Sequence, residues 1–286
     1  MPAGLFDIDF KSTSSPLDGV LFMFFRSFSI VTTLIIAPLL IAQSTRSAAN
    51  VDPDPAQVAE LVVANHILAD QGLLDAFGHV SVRDTRNPNR YLMSRAVPAA
   101  MVTAADIFVY DLDSNPVKGN TSDSFWERYI HGEIYKARPD VMAVIHSHAS
   151  DVLPFSVTQV PLRPMIHTAA FMPQTVRVFD NRPVAGMTDL LISTPALGHA
   201  LAEMLGSDPL ILLRGHGVAV VGPSLHIAVA RTYYMTLDAR AEQQAIALGG
   251  RSVTYLTPEE AEKGAPQKGG FERAWELWES KIEKKK

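Results

Sequence analysis

Cysteine is absent from the sequence. Disulfide cross-links and thiolate metal sites are thereby excluded, and any metal must be held by nitrogen and oxygen donors. Positive charge is also scarce: Lys and Arg number 25 against 30 Asp and Glu, a formal net charge of -5. No basic stripe precedes the closing lysines, so nucleic acid has no electrostatic footprint here and is not an expected partner. An unbroken apolar run of membrane-spanning length is missing as well. The candidate Ile30–Ala42 is interrupted by Pro38 and is shorter than the roughly 20 residues a span requires. Internal repeats, heptads and low-complexity segments are missing too, which sets aside solenoids and coiled coils.

That short apolar run fits a signal peptide instead. Arg26 supplies a positive start, Ile30–Ala42 an apolar middle, and Ser47-Ala48-Ala49 the small residues a signal peptidase reads. The expectation is export, periplasmic or secreted, with cleavage near Ala49 and no stable membrane span after processing. Residues 1–49 then form an N-terminal extension and signal peptide, with Met23 as an alternative start. Residues 50–286 form one domain, and a hydrophobic share of 47 % is enough to give it a core.

Within that domain, helical and strand patterns alternate. Asp52-Pro53-Asp54-Pro55 opens a helix with apolar residues at Val58, Leu61, Val62, Ile67 and Leu68, broken by Gly72. In DAFGHVSVRD, Val80 and Val82 alternate with Ser81 and Arg83, which predicts a half-buried strand. Strands follow at Tyr91–Met93 and Ile107–Tyr110, with hairpin chemistry over Asp111–Pro116. Ser122 or Asp123 is placed to cap a helix through FWERYIHGEIYKA that Pro139 ends. Glu127 and His131 would then share a helical face. A strand at Thr175–Phe179, a helix around Leu197–Leu205, a strand at Leu210–Leu213 and a long helix over Ser224–Leu248 complete a mixed α/β layer architecture. In the tail, Phe271, Trp275 and Trp278 share a helical face beyond Gly269-Gly270, and a neighbouring subunit is one surface they could pack on.

The chemistry centres on Val141–His148. An apolar run ends in His146 and His148, and on a strand that spacing points both imidazoles to one face. His216, between two glycines in RGHG, is a candidate third donor. Three neutral imidazoles leave coordination positions open, which is the catalytic pattern for a divalent ion. Such an ion polarises a carbonyl or hydroxyl oxygen. Glu127, on the helix feeding the histidine strand, is the candidate proton carrier.

The segment ERYIHGEIYKARPDVMAVIHSHA, with FGHVSVR before it and LLRGHGVAVVG after it, resembles the class II aldolase/adducin-head family over roughly residues 56–250. That family includes fuculose-phosphate-type aldolases, ribulose-phosphate 4-epimerases and aromatic-acid decarboxylases. The resemblance implies metal ligands at His146, His148 and His216, and an acidic catalytic residue at Glu127, four before the histidine of the H-x-x-x-Y segment. It implies a three-layer α/β/α domain with a mostly antiparallel central sheet, assembled as a homotetramer with sites between subunits.

Three departures bear on the substrate. The family's sugar-phosphate members cradle phosphate with a Gly-Asn loop, a Thr-Pro-Thr-Gly-like turn and a Ser-Ser pair. Here the asparagine is His79, the turn reads Ser94-Arg95-Ala96-Val97-Pro98, and the serine pair is Phe125-Trp126. Two bulky aromatics cannot supply the donors a phosphate dianion needs, so a phosphorylated substrate is not expected. Arg95 can grip a carboxylate, and Phe77, Phe125 and Trp126 can pack on a ring. The pattern is similar to the family's decarboxylase branch. His167 and Arg163 in PLRPMIHTAAF are further pocket candidates, as are Tyr233 and Tyr234 for proton donation.

The expected function is therefore a metal-dependent carbon–carbon lyase, decarboxylating an unphosphorylated hydroxy-aromatic carboxylate with one divalent ion (Zn, Mn, Co or Fe). An aldolase acting on a keto acid or aldehyde is the first alternative, and a non-catalytic adducin-like scaffold the second. Oxidative chemistry with iron and dioxygen at the same histidines stays open. Mass spectrometry of the exported protein checks the processing expectation: a mature chain starting near residue 50 is the expected result, and retention of residues 23–49 overturns it.

Overall fold

The histidine-bearing run becomes the middle of the fold. In a computed structural model that describes residues 52–250, 252–264 and 271–284, it forms strand β5 (Ala143–Ser147), buried throughout. The expected signal peptide and its cleavage point lie outside the described residues. Eight strands make one sheet: β1 (His79–Arg83), β2 (Arg90–Ser94), β3 (Ile107–Asp111), β4 (Pro116–Lys118), β5, β6 (Val178–Phe179), β7 (Leu210–Leu213) and β8 (Gly217–Gly222). Their spatial order is β4-β3-β2-β1-β5-β8-β7-β6. Every neighbouring pair is antiparallel except β6 with β7.

Helices cover both faces. On one side pack α1 (Pro55–Asp70), α6 (Leu225–Gly249) and α8 (Glu272–Glu283). Leu61, Leu68, Val229 and Trp278 there meet Val80, Val82, Ala143, Ile145 and Val220 from the sheet. On the other side α2 (Arg128–Ala137) and α5 (Pro195–Leu205) bring Ile130, Ile134, Leu197 and Leu201 against Val144, Ile211, Ala219 and Val221. Alternate residues of β5 serve opposite layers, as a pleated strand requires. The short helices α3 (Leu153–Val157), α4 (Arg182–Ala185) and α7 (Pro258–Gly264) lie on connections. The three-layer α/β/α architecture with a mostly antiparallel sheet is as expected. No described helix is long and apolar enough to cross a membrane.

Four local expectations change. First, β1 is buried on both faces, because α2 covers the side that carries Ser81 and Arg83. The Arg83 guanidinium stays charged there by donating to the carbonyls of Pro88, Tyr135, Arg138 and Val141. Second, α2 begins at Arg128, with Glu127 as its N-cap. Ser122 and Asp123 are engaged with Asn120 in a preceding turn and cap nothing. Third, the predicted Thr175–Phe179 strand shrinks to Val178–Phe179, a two-residue edge. Fourth, the aromatic tail needs no second subunit: Trp275 and Trp278 are buried in this chain's own core. Trp275 stacks on His226 of α6 with ring centroids 3.9 Å apart, and Trp278 lies 4.9 Å from the Tyr233 ring.

The turn between β7 and β8 depends on its glycines. Gly215 has φ +64, the left-handed region that glycine enters without a Cβ clash. A Cβ on Gly217 would run into the Ser147 carbonyl on β5, so its hydrogen lets two strands close. Gly217→Ala should lower unfolding free energy by about 1–3 kcal/mol, the usual cost of forced overpacking. A urea denaturation curve measures it, and an unchanged midpoint would contradict the close approach.

Candidate metal centre and substrate pocket

His146 is the fourth residue of β5 and points to the α2/α5 side; His148 follows the strand end, and His216 sits in the β7–β8 turn. Each ring is anchored through Nδ1 to an oxygen. His146 Nδ1 lies 3.2 Å from the Val218 carbonyl, His216 Nδ1 3.1 Å from the Leu190 carbonyl, and His148 Nδ1 3.2 Å from Asp75 Oδ2. A carbonyl or carboxylate only accepts, so each Nδ1 carries a proton, and in the neutral ring that binds a cation each Nε2 carries the lone pair. These lone pairs converge. His146 Nε2 and His148 Nε2 are 3.0 Å apart, and Glu127 Oε2 lies 3.5 Å from His146 Nε2 and 3.4 Å from His216 Nε2. All four donor atoms fall within 4.8 Å of one another.

This donor set fits a divalent cation. Two bare imidazole nitrogens 3.0 Å apart repel unless a positive centre lies between them, and imidazole nitrogen is a donor that zinc takes readily. Imidazole nitrogen with carboxylate oxygen also suits manganese, cobalt or iron. The electrostatics agree. Burial alone would raise the Glu127 carboxyl, but positive charge placed at the adjacent His146 and His216 outweighs it and holds it far below the usual carboxylate range. Burial works against protonated His216, yet Glu127 raises it above its ordinary value. Burial and then His146 lower His148, with Asp75 opposing. Glu127 is fixed in aim as well: its Oε1 accepts the Ile192 amide at 2.8 Å, leaving Oε2 for the cluster.

The cluster opens on a cavity of ≈ 540 Å³. Phe77, His79, Phe125, Trp126, Glu127 and His148 line it, so the structure brings these predicted residues together. Ser122 and Ser124 also line it, but their hydroxyls are spoken for. Ser122 donates to Asn120 Oδ1 at 2.8 Å; Ser124 donates to the Asn120 carbonyl at 2.7 Å and accepts from Tyr110 at 2.9 Å.

Other predicted residues are placed elsewhere. The Arg95 guanidinium does not line the pocket; Asp106 Oδ1 engages it at 2.7 Å, and only the neighbouring Ala96 reaches the cavity. His167 is exposed in a short 3-10 turn packed against α6 and α7, away from the cluster. Arg163 covers the Tyr255 ring at 4.0 Å. Tyr233 and Tyr234 line a different cavity, with Phe271 and Trp278. For Arg95 and Arg163 a structural partner nearby took the group that the sequence had left free.

Sequence reasoning missed Asp75, which aims His148 and also accepts the amides of Phe77 and Gly78. It also missed what stands behind His79, namely Ser81, His131 and Tyr135. The signal was present: His79 and Ser81 are i, i+2 on a strand, and His131 and Tyr135 are i, i+4 on a helix.

A three-layer sheet fold with a histidine–carboxylate cluster at the end of its central strand is an α/β architecture with a candidate metal site. Residues 59–243 match the family described as Class II Aldolase and Adducin N-terminal domain, and the chain belongs to that family. It is 33% identical over 254 residues to Decarboxylase tropJ of Talaromyces stipitatus, covering 81% of this chain and 96% of that one. A 3,4-dihydroxyphthalate decarboxylase of Arthrobacter keyseri is 28% identical over 232 residues, covering 78% of this chain and 91% of its own. Among solved structures, an aldolase II superfamily protein from Pseudomonas syringae superimposes with TM-score 0.70 at 21% identity, over 82% of this chain and 96% of that one; this shows the shared fold. Family and relatives together make the chain a lyase.

His146→Ala should lose bound metal, because it removes one donor and leaves Glu127 facing two imidazoles. Elemental analysis of protein purified without chelator measures this. Equal metal content in variant and parent would disprove the assigned centre.

Proposed function

We propose that the protein is a metal-dependent decarboxylase of an unphosphorylated hydroxy-aromatic carboxylate, its ion held by His146, His148 and His216. The observation that carries the reading is the wall around the cluster. Phe77, Phe125 and Trp126 stand where a phosphate dianion would need hydroxyl and amide donors, and the two serines present are already committed. An apolar rim suits an aromatic ring and strengthens polar contacts at the cavity floor. The decarboxylases among the relatives support the reaction class.

When bound, a divalent ion supplies Lewis acidity toward the substrate's hydroxyl and carboxylate oxygens. The protein supplies orientation and the proton. Phe125 and Trp126 hold the ring edge-on to the cluster. Glu127 enters the reaction as an anion, so it must take a proton before it can give one, and the substrate hydroxyl is the acidic group within its reach. The carbon–carboxylate bond then breaks, its electron pair stays on the ring, and carbon dioxide leaves. Glu127 returns the proton to the ring carbon, leaving the product as its phenolate, which regains a proton from water on release. The Ile192 amide on Oε1 keeps Oε2 on that path throughout.

The same reading carries two further parts, a homotetramer and export of the mature chain. Phe77 and Trp126 are 70% and 71% exposed at the pocket rim, and side chains of that size favour being covered by a neighbouring subunit.

A carbon dioxide release screen over hydroxylated aromatic mono- and dicarboxylates tests the reading, and efficient cleavage of phosphorylated ketoses would overturn it. On the substrate so found, Glu127→Gln should cut kcat by roughly 10²–10⁴-fold, the range for loss of a general acid–base, with metal content unchanged. Undiminished turnover would remove Glu127 from the mechanism.

A further inference from the structure

A hydrogen-bonded chain runs from the pocket wall into the space between β1 and α2. His79 Nδ1 lies 2.7 Å from His131 Nε2, His131 Nδ1 lies 2.6 Å from Ser81 Oγ, and Ser81 Oγ lies 2.8 Å from the Tyr135 hydroxyl. All four residues are buried. Taken singly, each link permits either donor direction. Taken together they permit one.

The direction is set at the blind end. Among the described residues, Ser81 Oγ is the hydrogen-bond partner of the Tyr135 hydroxyl, which is itself buried. The Tyr135 proton therefore has Ser81 Oγ as its acceptor. Ser81 accepts that bond and spends its single proton on His131 Nδ1. Burial holds His131 down to about 3, so the ring is neutral, and its one proton sits on Nε2 and is donated to His79 Nδ1. His79 Nδ1 accepts that bond and so carries no proton of its own. The His79 proton must be on Nε2, the nitrogen with no hydrogen-bond partner among the described residues, on a ring that lines the pocket. Reversed, the chain would leave the Tyr135 proton buried without an acceptor, an expensive defect.

We infer that Tyr135, Ser81 and His131 are positioning residues that fix His79 as an Nε2–H donor, and that this N–H binds an oxyanion of the substrate, a carboxylate or phenolate oxygen. The oxyanion half rests on the decarboxylase reading; the proton positions do not. The consequence is specificity. With its tautomer free, His79 would offer an oxyanion a lone pair part of the time, and a fixed donor removes that repulsion. The ring also packs 4.5 Å from Phe125, centroid to centroid, which ties the donor to the wall where an aromatic substrate would lie.

Neutron diffraction from deuterium-exchanged crystals of the metal-loaded protein reads the chain directly. Deuterons on Nε2 of both His79 and His131 are expected, and a deuteron on Nδ1 of His79 overturns the inference. The binding arm compares salicylate with salicylamide as probes, by calorimetry, in the parent, Tyr135→Phe and Ser81→Ala. Each variant should lose roughly tenfold in the salicylate-over-salicylamide preference, the scale of one hydrogen bond to a charged group. A merely structural role would weaken both probes in parallel, and an unchanged ratio overturns the positioning role. If either variant fails to fold, the other and the diffraction from unaltered protein still decide. Deuterons as assigned with no salicylate binding overturn the oxyanion half; carbon dioxide release from any hydroxylated aromatic carboxylate then shows whether the decarboxylase reading falls with it.

Discussion

The pairing of β1 with β5 is the constraint on which the rest depends. In that register His79 stands opposite His146 and Ser81 opposite Val144, so the polar face of β1 and the imidazole of β5 look the same way, under α2. A sheet face carrying imidazole and hydroxyl groups can be covered only if every one of those groups has a partner. The partners are found across the layer, on the helix (His131, Tyr135) and in the loops that end at Asp75, Leu190 and Ile192. A slip of one residue would turn His146 to the α1/α6 side and put Ile145 at the cluster. The apolar alternation of β5, serving two separate cores, guards against that slip.

From this follows a division between two kinds of histidine. His146, His148 and His216 each give Nδ1 to an oxygen that can only accept, and so turn a lone pair toward a common point. His79 accepts at Nδ1 from another ring, at the head of a chain whose far end, the Tyr135 hydroxyl, has Ser81 Oγ to donate to. Identical side chains are thereby sorted into acceptors and a donor by what stands behind them. The first three are ready for a cation, and the fourth is ready for an anion.

How far this was legible in the sequence depended on whether the information was local. The i, i+2 spacing of His146 and His148 was readable because strand geometry has a period of two, and His216 was readable because flanking glycines mark a tight turn. Glu127 was identified from its place in the family segment, yet the helix-face argument for it used a geometry it does not have, since it caps α2 rather than lying within it. Arg95 was misplaced because its partner Asp106 is brought to it by the β2–β3 pairing. Asp75 was silent for the same reason: nothing in DAFGHVS tells that its carboxylate will meet a histidine 73 positions away. Residues whose role is to hold another residue are visible only once the layers are assembled.

The loss of Arg95 from the pocket has a further effect on its chemistry. The described residues that line the cavity include no lysine or arginine, while Glu127 there is held firmly as an anion. A carboxylate substrate entering such a space meets a like charge in a poorly screened setting. The His79 N–H relieves only a little of that repulsion, because a neutral donor carries a fraction of a charge. In the proposed reading the remaining balance comes from a divalent cation at the three imidazoles, neutral donors that would leave its charge to be shared between Glu127 and the substrate. Binding and chemistry would then depend on the same ion. On that reading an apolar rim without an arginine would admit a carboxylate only with the ion in place, so a centre lacking it would exclude the substrate that it cannot convert.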